Sequence, residues 1–158
     1  MNFEFSEEQN MLREQAQRFL QEQCPLTAVR AVMEDANTPY DQALWRGMIE
    51  LGWTAVSIPE EYDGLGMGHL ALCVLAEELG RSLAPTPFAS SVYLAAEALL
   101  AFGSDAQKQT WLPKLAAGEA IGTFAYAEGR GALTAENIQC RFESATLSGE
   151  KSPVPDGD

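Results

Sequence analysis

Three glycines in five positions, Gly64, Gly66 and Gly68, run directly into the only histidine of the chain, His69. Close-set glycines can let a phosphate approach backbone amides, so residues 58–69 are the first place to look for nucleotide chemistry. The stretch does not meet the requirement. A dinucleotide fingerprint needs a third glycine where His69 stands, between a strand and a helix, and a P-loop needs a lysine that is absent here. Residues 56–59 are too short and too proline-limited for the preceding central strand. A flexible connector between two helices is the expected reading.

The other reactive groups are sparse. Cys24, Cys73 and Cys140 are far apart, with no second cysteine or histidine at ligand spacing. They are expected to be buried or semi-buried thiols of a reducing compartment. One histidine gives no basis for a His-based metal centre, and no metal is expected. Glu97 interrupts the apolar run 92–102 and is expected to reach solvent or a subunit boundary rather than to sit as a buried carboxylate.

The elements that must position these groups are mostly helical. Ser6 with Gln9 and Ser104 with Gln107 are capping-box pairs, and Asp41 is a third N-cap ahead of Leu44, Trp45, Met48 and Ile49 at helical spacing. Pro25 stops one helix or begins the next. Residues 70–76 and 90–102 are apolar almost all round, which predicts helices buried on every side, the first ending at Gly80 and the second at Gly103. Such helices need a compact bundle. After Gly118 the pattern changes. Residues 121–127 are rich in β-branched and aromatic side chains, residues 137–142 and 145–148 alternate, and residues 148–150 read as a turn. Two or three short strands do not stand alone, so a chain whose remainder lies elsewhere is expected.

Acidic residues outnumber basic ones 23 to 10, for a net charge of −13 over 158 residues, which disfavours nucleic acid and anionic membrane surfaces as partners. No basic and apolar leader opens the sequence, and no apolar run approaches the roughly 20 residues of a membrane span. A cytoplasmic protein is expected.

Several segments occur in an order that carries a resemblance. Gly52 to Ser57, then Ile-Pro-Glu-Glu-Tyr-Asp-Gly-Leu-Gly, then Leu-Ala-Glu-Glu-Leu-Gly-Arg81 lead to Phe-Gly-Ser-Asp-Ala-Gln-Lys108. Trp-Leu-Pro-Lys-Leu-Ala-Ala-Gly-Glu119 and Phe-Ala-Tyr-Ala-Glu128 come next. This series resembles the amino-terminal portion of acyl-CoA dehydrogenases. The resemblance implies a mainly α fold: a helical domain over residues 1–119, and over 120–158 the start of a β-barrel-like middle domain. It implies FAD as cofactor and oxidation of an acyl-CoA thioester to the 2,3-enoyl-CoA. A glutamate removes the α proton in that family; it belongs to a carboxy-terminal domain, so no catalytic residue is assigned within these residues.

The same resemblance places Phe124, Tyr126, Ala127 and Leu133 at the flavin, and Phe88, Ser90, Ser91 and Leu94 along the acyl chain. It implies an electron-transfer flavoprotein or similar acceptor and a homo- or hetero-oligomer. The pattern is degenerate. Ala127 stands where the family has threonine, Leu133 near its serine, and Pro153 and Pro155 where it has tryptophan and threonine. Backbone contacts from Tyr126 and Ala127 need no particular side chain. The alternative implied is a non-catalytic subunit that completes a site on a partner chain. For the side chains of Glu128 and Arg130, a solvated turn is the expected setting.

Overall fold

The computed structural model describes residues 5–131 and 134–157, so Leu133 lies outside the described residues. Among these residues the order is α1 (Glu7–Gln23), α2 (Leu26–Glu34), α3 (Gln42–Glu50), α4 (Gly68–Ser82), α5 (Glu97–Phe102), α6 (Asp105–Ala116), then the antiparallel hairpin β1 (Arg141–Glu143) and β2 (Thr146–Ser148). The mainly α class stands. No helix of the described residues is long and apolar enough to cross a membrane.

Local polar groups set the helix starts. The Gln9 amide donates to Ser6 Oγ at 3.2 Å and the Ser6 amide to Gln9 Oε1 at 3.0 Å. Ser104 and Gln107 repeat the exchange at 3.4 and 2.9 Å. Asp41 accepts the amides of Ala43 and Leu44 at 3.0 Å each. Each cap satisfies donors that the first turn of a helix leaves without an internal partner. Pro25 stands between α1 and α2.

Two apolar clusters hold the bundle. The larger joins Leu20, Leu44, Met48, Trp53, Leu75 and Phe88. The smaller joins Ile58, Ala96, Leu112 and Leu115, and the buried Thr54 hydroxyl ties its loop to α6 by donating to the Ala116 carbonyl at 2.7 Å. Helix α1 lies along α4, and a polar seam runs beside their apolar contact. Arg13 meets Glu77 at 2.9 Å, and Gln17 donates to Glu78 at 3.0 Å. Arg81 donates to both glutamates at 3.2 Å.

Several expectations need correction. Helix α4 is not buried on every side. Leu70, Cys73 and Glu77 form an exposed stripe, while Glu78 is almost fully buried against α1. Because α1 covers only one side, the apolar run places Leu70 in solvent. Cys73 is exposed, Cys24 is buried and Cys140 lies between. Helix α4 also passes Gly80 and ends at Ser82, where Leu83 takes the left-handed conformation at φ 52°. The hairpin turns at Ser144–Ala145, both at positive φ, and its strands fall at the ends of the two stretches expected to alternate.

The glycine stretch is a pinned loop. The amides of Leu65, Gly66 and Met67 donate to the carbonyls of Ala55, Ile58 and Val56, each at 2.9 Å. A Cβ at Gly64 would collide with the Ile58 carbonyl, and Gly66 holds φ at 60°. Gly64 therefore serves close backbone approach, Gly66 and Gly68 serve positive φ, and the connector is pinned by its own backbone bonds rather than flexible.

Candidate functional site

Where the helices meet residues 120–157, the chain is not a regular α-helix. Residues Ala89–Ala96 are π-helical and run straight into α5. The exposed positions Ala89 and Leu94 are five apart, the spacing of the π hydrogen bond, while Ser90, Ser91 and Val92 between them are all buried. The two serines face the passing chain. Ser91 Oγ accepts the Gly122 amide at 3.3 Å, and Ser90 Oγ donates to the Asp156 carboxylate in a very short bond. Thr123 Oγ1 donates to the Pro155 carbonyl at 2.6 Å. The π segment is thus the seam between the bundle and residues 120–157.

Residues 121–127 lie outside the regular helices and strands. Phe124 and Tyr126, two positions apart, share one side. Their rings stack at 5.7 Å with planes 20° apart, and they are 42% and 45% exposed. None of the amides of residues 124–128 donates to another described residue. The pair offers ring faces, and these amides offer donors unclaimed by any other described residue. Ala127, Pro153 and Pro155 offer it no hydroxyl and no aromatic ring.

Glu128 departs from the solvated turn expected of it. Its side chain is 11% exposed, and Lys151 Nζ approaches at 2.6 Å. It also accepts the amides of Gln139 at 2.5 Å and Cys140 at 3.1 Å. The lysine bond, then the two amides, hold the carboxyl down at about 2. The same carboxylate pushes the Cys140 thiol above its ordinary value. Lys151 also reaches the Tyr126 carbonyl at 3.4 Å, and Ser152 pairs with both Ala127 and Gly129 through its backbone. Beside this cluster lies a polar cavity of about 310 Å³ bordered by Tyr126, Arg130 and Asn137. No sequence signal short of pairing residues 128 and 151 would have found it.

The positions expected along an acyl chain are separated by the fold. Phe88 is core, edge-on to Trp45 at 6.4 Å and Tyr93 at 5.3 Å. It borders a cavity of about 270 Å³ between α4 and the π segment. The Tyr93 hydroxyl is buried without a partner among the described residues, and burial pushes its pKa up. Ser90 and Ser91 hold the seam, and Leu94 faces outward. Glu97 reaches the exposed His69, Oε2 to Nε2 at 3.0 Å, with its other oxygen buried. An open apolar groove of about 500 Å³, which no sequence pattern marks, lies between α5, α6 and residues 120–124. Phe102, Trp111, Ile121 and Phe124 line it.

The family model described as acyl-CoA dehydrogenase, N-terminal domain, matches residues 6–119. The chain is similar to a probable acyl-CoA dehydrogenase of Bacillus subtilis, YngJ, with 32% identity over 96% of this chain and 40% of that protein. It is also similar to the acyl-CoA dehydrogenase IpdE2 of Mycolicibacterium smegmatis, with 42% identity over 77% of this chain and 37% of that protein. Among solved structures, the ChsE4–ChsE5 complex of Mycobacterium tuberculosis contains a chain that superposes with a TM-score of 0.74. Its identity is 31%, over 83% of this chain and 36% of that one. The chain spans two fifths or less of the length of the curated relatives it matches.

Proposed function

The chain belongs to the acyl-CoA dehydrogenase family, and from that premise we propose that it forms the helical part and the first flavin-facing edge of an FAD-dependent acyl-CoA dehydrogenase. The observation that carries this reading is the run Phe124 to Glu128, with stacked rings and amides that donate to no other described residue, beside the π-helical seam. The residues fit FAD through the backbone of Tyr126 and Ala127 and the aromatic faces of Phe124 and Tyr126; Leu133 stays a proposed neighbour. When bound, the flavin supplies a two-electron acceptor for the hydride leaving the β carbon of the thioester.

This chain's own residues orient and exclude water. Phe88 borders the cavity toward α4, and Leu94 adds an apolar side chain. Ser90 and Ser91 fix the spacing between the π segment and residues 122 and 156. The α proton goes to a carboxylate contributed by the region that the longer relatives carry beyond the matched span, and the electrons pass to an electron-transfer flavoprotein or similar acceptor. Purified full-length protein is expected to be yellow and to bleach under anaerobic acyl-CoA. A colourless protein indifferent to FAD and acyl-CoA rejects the reading.

A second reading has its own support. Ala127, Pro153 and Pro155 remove side-chain contacts, and one structural neighbour is a complex of two differently named chains. A subunit that completes the site of a partner would hold flavin only in the partner's presence. A flavin-loaded homo-oligomer rejects it.

A further inference from the structure

We propose that Glu128 is a positioning residue for the cofactor-facing edge, set by charge where the usual side-chain contacts are missing. This rests on the flavin reading above. Three stretches meet at the one carboxylate: its own strand-like segment, the amides of Gln139 and Cys140, and the ammonium of Lys151. Lys151 closes the loop by donating to the carbonyl of Tyr126, two residues ahead of Glu128. The backbone pairing of Ser152 with Ala127 and Gly129 runs through the same place. Tyr126 and Ala127, whose amides donate to no other described residue and would face the flavin, are therefore held at their carbonyls by Lys151 and by its chain neighbour Ser152, and Glu128 fixes the lysine.

The chemistry explains why a carboxylate is suited to the task. An ionised carboxyl offers acceptor sites for several donors at once, and its bonds to ammonium and amide groups are stronger than neutral ones. Ala127 has no hydroxyl to fix the edge from the cofactor side, and Pro153 has neither an aromatic ring nor an amide proton to do so from the neighbouring segment. Order at residues 126–127 must come from the backbone, and Glu128 supplies the anchor. The side chain is almost closed off from solvent, so the anchor persists when a ligand covers the edge.

The test uses the full-length protein, with its partner chain where one co-purifies, stripped of flavin and titrated with FAD. Glu128→Gln keeps the shape and loses the charge. It is expected to raise the Kd for FAD about tenfold or more and to alter the visible circular dichroism of the flavin that remains bound. The helical unfolding midpoint is expected to move little. Lys151→Met should behave alike, and Lys151→Arg should restore wild-type binding and dichroism. Wild-type values in both Glu128→Gln and Lys151→Met overturn the proposal and leave the flavin reading intact. A wild-type protein that takes up no FAD, alone or with a partner, removes the flavin reading and this proposal with it. Collapse of the helical signal in both variants also overturns it, because the carboxylate would then support the fold rather than the edge.

Discussion

The Ser91 hydroxyl receives the Gly122 amide at 3.3 Å, and the same glycine brings the chain so near the π segment that a Cβ there would lie 2.5 Å from the Ala95 Cβ. One hydrogen bond and one missing methyl group together set how the segment leaves the bundle.

Gly122→Ala should therefore lower stability by about 1–3 kcal/mol, the usual cost of forcing a methyl group into packed surroundings. Thermal unfolding followed by circular dichroism checks it. An unchanged midpoint would show that the segment can swing away from Ala95 at no cost.

The two glutamates of α4 should behave differently although they are neighbours. Glu78 is 2% exposed at its side chain and serves Gln17 and Arg81, so Glu78→Ala empties a buried position, leaves the half-buried Gln17 amide without this acceptor and should cost about 1–3 kcal/mol. Glu77 is half exposed, and Glu77→Ala should cost no more than about 1 kcal/mol despite its two arginine contacts. Urea unfolding of both variants gives the comparison.

Acid should release the clamp at Glu128 late. Its carboxyl is held at about 2 in the folded state, below the ordinary value of 4.5. A depressed folded pKa contributes stability that is complete above the unfolded value and is lost as pH falls from about 4.5 toward 2. Protection factors of the Gln139 and Cys140 amides, exchange measured against the unstructured rate at the same pH, should hold at pH 5 and fall progressively below it. Protection already absent at pH 6 would show that the carboxylate does not hold these amides.

The three thiols should react in a fixed order with a disulfide reagent such as Ellman's reagent. Cys73, exposed on the outer stripe of α4, reacts first. Cys140 is second, its thiol pushed up by Glu128 and its exposure intermediate. Cys24 reacts last, buried and raised by desolvation and then by Asp41. Single cysteine-to-serine variants assign the phases.

Much of the bundle was legible because its signals are local. Ser6 with Gln9 and Ser104 with Gln107 satisfy each other within three residues, so their spacing alone marks where helices begin. The family resemblance was legible for a similar reason: its motifs are short, contiguous and ordered along the chain. The π segment was not, since nothing in Ala-Ser-Ser-Val tells a π turn from an α turn until the passing chain at Gly122 and Asp156 engages both serines.

By itself the sequence determined the capped helix starts, the mainly α class and the family. Only the tertiary structure decided that one side of α4 meets solvent, that Glu78 is buried against Gln17 61 residues away, and that Glu128 is clamped by Lys151 23 residues away. The reason is physical. A cap or an apolar period is fixed by neighbours that the covalent chain already holds close. A buried carboxylate finds its partners only after distant segments have been brought together, and chain spacing does not encode which donors will arrive.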